Sequence, residues 1–323
     1  MTTRQSTLFK AVILSVFLCG ASFVPIRSQA TDPPAVPVQM TVTLSGVTGN
    51  LPPAITRDQV TVQQNRNRMP ILKWVPARNE HAGLDLFILI DDACDPRLGS
   101  QFSEIKSFIT AQPATTSVGI GYMRNATVQI AQNFTNDHAQ AAQALRLPMA
   151  NPGAFGSPYL SVIDLMRRWP EHPNRRVVVM VTDGIDRARS SRPRGRLSTL
   201  LPDVDSASDV AQRTGTLVYT IYFPGVGHVQ RNFWEANNGQ MGISRLSDVT
   251  GAESFFLGTQ APVSFRPYLD QIQTDLGNQY LLTFGAQPAR NEGLQSVSVE
   301  TDVTGAELVS ADSVWVPAAS KGE

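Results

Sequence analysis

Two stretches of this chain are apolar almost without interruption: Leu84 to Ile90, and Val177 to Val181. Runs that short and that unbroken predict strands buried on both faces, hence a parallel sheet covered by helices. Helical spacing falls between them, in Phe102, Ile105, Phe108 and Ile109, and again in Val162, Leu165, Met166 and Trp169. Val118 to Ile130 alternates around Arg124-Asn125, the pattern of a hairpin at a sheet edge. Further on, the pattern predicts a strand over 215–223, a short helix over 243–249 ended by Gly251, a strand over 254–257 and a helix over 265–276. The order is that of a doubly wound, mostly parallel α/β sheet flanked by helices, over residues 83–277. On either side the period changes to two. Met40, Val42 and Leu44 alternate with threonines, as do Val60 and Val62 with polar residues, and 280–284, 297–301 and 308–316 return to β patterning. These give short β segments at both ends, over 31–82 and 278–323, each with too few strands to stand alone.

The first thirty residues follow another logic. Arg4 and Lys10 precede an apolar run from Ala11 to Val24, and Ser28-Gln29-Ala30 follows. That is the order of a secretory signal peptide cleaved after Ala30, and its fourteen apolar residues fall short of the ~20 that span a bilayer. The expected compartment is secreted or periplasmic, with no transmembrane span after cleavage, and Cys94 is then the only thiol.

Composition changes this picture little but excludes several classes. With 42% hydrophobic and 17% charged residues the chain can bury a core. Its 27 basic residues balance 27 acidic ones, so no global field would gather nucleic acid. The histidines at 81, 138, 172 and 228 form no metal-type pair, and there is no nucleophile elbow, phosphate loop or dinucleotide turn. No catalytic constellation is recognised, and a non-enzymatic protein is expected.

Candidate chemistry sits where the two central strands end. The first runs into Asp91-Asp92-Ala93-Cys94-Asp95 and the fourth into Thr182-Asp183-Gly184, while Ser157-Pro158 opens a helix between them. In such sheets ligands bind beyond the carboxyl ends of these strands, and hard oxygen donors converging there suit Mg²⁺, Mn²⁺ or Ca²⁺. Asp92 and Asp186 read as solvated neighbours. After Asp183, Arg187, Arg189, Arg192, Arg194 and Arg196 crowd one long connection, either a solvated flexible loop or a surface for an acidic partner. A second connection, 224–241, carries Phe233 and Trp234, either exposed for a partner or buried against the domain.

These strand ends resemble a von Willebrand factor type A (VWA) domain, whose metal-ion-dependent adhesion site uses Asp-x-Ser-x-Ser, a Thr and an Asp. The stretches Ile55-Thr56-Arg57-Asp58-Gln59-Val60 and Leu246-Ser247-Asp248-Val249-Thr250-Gly251-Ala252, with the strand Tyr280-Leu281-Leu282, resemble exported bacterial proteins with this domain, many of them from Acidobacteria. The resemblance implies an adhesion-type protein-binding module. An ion at Asp91, Asp95, Ser157 and Asp183 would be completed by a carboxylate of a protein partner. Ala93 and Asp95 replace the two serines, so the site is degenerate. Two other readings stand beside this one: a metal-independent scaffold binding through the arginines at 187–196, and a metal-assisted hydrolase built on the same acids.

Overall fold

The computed structural model describes residues 35–46, 52–187, 202–226 and 233–318. The predicted signal peptide and the arginines at 189, 192, 194 and 196 lie outside them. So do His228 and Arg231.

The chain builds three sheets. Strands β1 (Val36–Gly46), β2 (Val60–Gln64), β3 (Asn67–Met69) and β4 (Ile71–Pro76) precede the central strand β5 (Leu84–Asp91). Helix α1 (Phe102–Thr110) leads to the hairpin of β6 (Thr116–Arg124) and β7 (Thr127–Thr135), then to α2 (His138–Gln143) and α3 (Pro158–Arg167). Next come β8 (Arg175–Thr182), α4 (Pro202–Arg213), β9 (Thr216–Tyr222), α5 (Phe233–Thr250), β10 (Ser254–Phe255) and α6 (Arg266–Gly277). The chain closes with β11 (Gln279–Ala286), β12 (Gly293–Thr301), β13 (Ala306–Ser310) and β14 (Ser313–Val316).

The six-stranded sheet has the order β10-β9-β8-β5-β6-β7. All its pairings are parallel except β6 with β7, the edge hairpin read from the sequence. Alternation along the two buried runs sends side chains to opposite faces. Leu84, Leu86, Ile88 and Ile90 of β5, with Val177, Val179 and Val181 of β8, pack against Ile105, Phe108, Leu269 and Ile272 of α1 and α6. Phe87, Leu89, Val178 and Met180 face the other way, onto Val162, Met166, Ala207, Ala211, Ile243 and Leu246 of α3, α4 and α5. A buried acid stands on that second face. The Asp85 carboxylate, fully buried, accepts from Asn174 Nδ2 at 2.9 Å and Trp169 Nε1 at 3.3 Å, and pairs with His172 Nδ1 at 3.0 Å.

The terminal β segments interleave. One sheet has the order β13-β1-β11-β4 and the other β14-β12-β2-β3, and Val42, Val62, Leu282, Phe284, Val299 and Val316 share one core. Each sheet takes two strands from either end of the chain, which solves the shortage of strands that either end has alone.

The sequence reading is corrected at α5. A short helix over 243–249 was expected, whereas the helix begins at Phe233 and runs eighteen residues. Asn237, Asn238, Gly239 and Gly242 weaken its helical pattern. The glycines are there for packing: a Cβ on Gly239 would lie 2.3 Å from the Asp183 carbonyl oxygen, and one on Gly242 would lie 2.1 Å from the Tyr159 hydroxyl.

Candidate functional site at the strand ends

Asp91 ends β5, and its carboxylate is held by the backbone it terminates. One oxygen accepts the Ala93 N–H at 2.8 Å and the other accepts the Thr182 hydroxyl at 2.7 Å, across from the end of β8. Thr182 Oγ1 in turn accepts the Gly184 N–H at 3.0 Å, which fixes the turn that presents Asp183. Gly184 takes a φ of +70°, where a side chain would be strained, and a Cβ there would meet the Gly239 carbonyl oxygen at 2.3 Å. Helix α5 therefore seats its backbone directly on the end of β8.

Asp183 is buried, its side chain 1% exposed, and it is not bare. Arg187, four residues on and 17% exposed, turns inward and forms a forked ion pair with it. Nη1 donates to Oδ1 at 3.1 Å, Nη2 donates to Oδ2, and Oδ1 also accepts the Ile185 N–H at 3.0 Å. Nη1 reaches the Ile185 carbonyl as well, at 3.3 Å. The Asp183 charge raises the Arg187 pKa despite the burial of the guanidinium, and Asp91 adds to the effect. Among the described residues, no cation pairs directly with Asp91. Burial first, and the nearby Asp183 charge second, push its carboxyl up to about 6.

Residues 224–226 cross above these acids. The Asp95 N–H donates to the Pro224 carbonyl at 3.0 Å, and Cys94 and Gly225 form an isolated bridge. A Cβ on Gly225 would lie 2.4 Å from Asp183 Oδ2 and 2.9 Å from Arg187 Nη2, so only glycine lets the backbone close over the pair. Cys94 is fully buried beneath it, and burial together with Asp91 holds its thiol well above the usual range, an inert position.

The other expected ligands are occupied elsewhere. Asp95 caps the turn that follows it, accepting the Arg97 N–H at 2.9 Å and pairing with the Arg97 guanidinium at 2.9 Å. Ser157 caps α3, its hydroxyl accepting the Leu160 N–H at 3.4 Å. Thus the fold brings Asp91, Asp183 and Arg187 together through Thr182, and gives Asp95 and Ser157 partners of their own. Asp92, read as solvated, is fully buried. Arg146 clasps it with two bonds of 2.7 and 2.9 Å while stacking 3.7 Å above the Tyr122 ring. Nothing local ties Arg146 to Asp92 fifty-four residues away, so that pair was invisible in the sequence.

The resemblance of the strand ends to VWA domains raises the question of a divalent ion, and the donor set as arranged does not fit one. Every carboxylate oxygen of Asp91 and Asp183 already receives a hydrogen bond, and a guanidinium covers both Asp183 oxygens. Among the described residues, no three His, Cys, Asp or Glu side chains gather closely enough to hold a metal. The positive charge that the two buried acids require is supplied by Arg187.

No protein-family model matches the chain. No curated protein matches it either. Among solved structures the chain is similar to an aerotolerance-related membrane protein from Bacteroides fragilis, with 12% identity and a TM-score of 0.41 over 60% of this chain and 98% of that one. It is similar to a von Willebrand factor type A protein from Catenulispora acidiphila, with 8% identity and a TM-score of 0.43 over 91% and 76% of the two chains. It is also similar to the three N-terminal domains of the type V pilus tip protein Mfa5 from Porphyromonas gingivalis, with 10% identity and a TM-score of 0.41 over 90% and 68%. Among the described residues, no helix is long and apolar enough to cross a membrane. With its central strand order, its antiparallel edge hairpin and its acids at the ends of β5 and β8, the chain has a VWA-like α/β fold.

Proposed function

We propose that this chain is an exported protein-binding module that grips its partner with the carboxyl edge of the central sheet and without a divalent ion. The carrying observation is where most of the bare apolar side chains lie among the described residues, Leu72, Ile130 and Met241 standing apart. Leu147, Met149 and Phe155 are exposed in the connection before α3, Val226 follows β9, and Leu257 and Val263 follow β10. Phe233 and Trp234, 65% and 73% exposed, stand on the first turn of α5 and close the series. All these segments leave the carboxyl ends of strands or return toward them, so the apolar groups rim one edge of the sheet. Exposed aromatic and apolar side chains concentrated in this way are the surface of a protein contact. The Asp183–Arg187 pair beneath the rim supports independence from metal, because the resident guanidinium already neutralises the acids. The amino-terminal pattern of Arg4, Lys10 and the apolar run to Val24 supports export.

A metal-dependent reading, with Mg²⁺ or a related ion at Asp91, Asp95, Ser157 and Asp183, draws its support from the acids that end β5 and β8. Thermal unfolding after chelation separates the two. The wild-type chain is expected to keep its midpoint when millimolar Mg²⁺, Mn²⁺ or Ca²⁺ is returned, whereas an ion held at one hundredth of its concentration would add about 2.7 kcal/mol. Arg187→Ala is the decisive companion: it strips the cation from two buried acids, costs about 3–5 kcal/mol, and is expected to be partly rescued by Mg²⁺. A stabilising Mg²⁺ shift in the wild type, lost in Asp183→Ala, would overturn the metal-free reading. The rim is tested by partner capture from the extracellular fraction with Phe233→Ser/Trp234→Ser beside wild type. Capture should fall in the variant and be indifferent to chelator.

A further inference from the structure

A cleft of about 170 Å³ opens at the amino end of β9, walled on one side by the turn that leads from α4 into that strand and on the other by β1 and β14. Gln39 and Thr41 of β1, Arg213 of α4, and Ser313 and Trp315 of β14 line it. The chain carries as many acids as bases, yet among the described residues no acid lines this cleft and Arg213 is its one charged group. The placement of that guanidinium is the first observation. Asp209 stands one helical turn before it on α4, the spacing at which helices make surface ion pairs, and the pair is not made. The guanidinium lies instead 3.9 Å over the Trp315 ring, and among the described residues it has no hydrogen bond or ion pair. The second observation is the company it keeps. The side chains of Gln39, Thr41 and Ser313 also have no hydrogen-bond partner among the described residues, so the cleft gathers neutral donors around a cation. Asp312, beside Ser313, is occupied by the Gln212 amide.

We propose that this cleft binds a small organic carboxylate, its two oxygens on the Arg213 fork and its carbon part against Trp315 and Leu217. The aromatic seat decides the geometry. A guanidinium stacked on a ring keeps its N–H donors in its own plane and open at the edge, and that planar fork matches a carboxylate with two charge-assisted hydrogen bonds. Charge decides between oxyanions. Arg213 is the last residue of α4, whose carboxyl end is the negative end of its dipole, so one cation faces the cleft without a second source of positive potential. That suits a single negative charge rather than the nearly two of a phosphate ester. Volume sets the size, since a cavity of about 150 Å³ holds a benzene ring. The cleft lies at the amino end of β9, whereas the acids and the apolar rim lie at the carboxyl edge, so its failure would leave the proposed function standing.

The test is calorimetric titration of the full chain with benzoate, with benzamide as the neutral control of the same shape and inorganic phosphate as the competing anion. Benzoate is expected to bind, and the other two at least about tenfold more weakly. Arg213→Met keeps an unbranched stem beside Trp315 and removes the charge, and it should weaken benzoate about tenfold or more. Arg213→Lys keeps the charge without the fork and should weaken it several-fold. Ser313→Ala, which removes one neutral donor, should also weaken it several-fold. Arg213 is exposed, so both of its variants are expected to stay folded, which far-ultraviolet circular dichroism checks. Benzamide or phosphate binding as tightly as benzoate, or a folded Arg213→Met or Arg213→Lys chain that binds benzoate like wild type, would overturn the proposal. So would the absence of any benzoate heat at about 10 mM ligand.

Discussion

Asp91 is the residue on which charge and stability meet most directly. Its carboxyl titrates near 6 in the folded chain and in the ordinary carboxylate range near 4 when unfolded. The folded state therefore holds the proton more tightly between those values, so Asp91 favours folding most below pH 4, and that contribution is lost as the pH rises through 6. Asp91→Asn removes the titration. Its amide oxygen still accepts the Ala93 N–H and its NH₂ can donate to Thr182 Oγ1. The variant is expected to gain on the order of 2 kcal/mol over wild type between pH 4 and pH 7 in urea unfolding, as the wild type weakens. An unchanged difference across that range would mean that Arg187 neutralises Asp91 as fully as it does Asp183. Asp275, shifted the same way and for the same first reason, leaves a residual slope in both proteins. At this scale the acids were legible, because a buried strand that ends in Asp-Asp or Thr-Asp-Gly announces itself. The direction of Arg187 was not. As one of five arginines in a connection it read as outward-facing, although its four-residue spacing from Asp183 was the signal that could have paired them.

Among the elements, α5 is the one whose position depends on absent side chains. Gly239 lets its backbone rest on the Asp183 carbonyl, and Gly184 answers from the strand side. Because the obstructing atoms are backbone, Gly239→Ala must move the helix, and it is expected to cost about 2 kcal/mol or more. Gly277 ends α6 with no atom within 4 Å of a Cβ, so Gly277→Ala should be neutral or stabilise by up to about 1 kcal/mol. Urea midpoints of the two variants check the contrast, and equal shifts would refute the packing argument. Since α5 also carries Phe233 and Trp234, its seat on β8 sets where the rim stands above the acids. The two exposed aromatics were visible as a pair in the sequence, but the helix beneath them was hidden by the glycines and asparagines that its close packing uses.

Across the whole molecule, the terminal sandwich is joined to the α/β part by specific contacts. Gln212 of α4 donates to the Val249 carbonyl at 2.7 Å and to the Asp312 carboxylate, while the Arg213 guanidinium lies 3.9 Å over the Trp315 ring. Backbone hydrogen bonds run from Leu44 to Asn278 at 3.1 Å and from Asp312 to Val249 at 3.3 Å. The two parts are therefore expected to unfold together, with helical circular dichroism and the fluorescence of the sandwich residues Trp74 and Trp315, read in a Trp169→Phe/Trp234→Phe background, losing signal at one urea midpoint. Two separated midpoints would show them to be independent. The order of elements, the two-faced burial of β5 and β8, the edge hairpin and the acids at the strand ends were all determined by the sequence alone. Each is carried by the period of apolar residues, or by a residue type, within a short window. Only the tertiary structure decided that strands from both termini share two sheets, that Arg146 reaches Asp92, that Gly225 closes over Asp183 and that Arg187 serves as the cation of the site. Those outcomes depend on which distant segments meet, and a local pattern carries no record of its eventual neighbour.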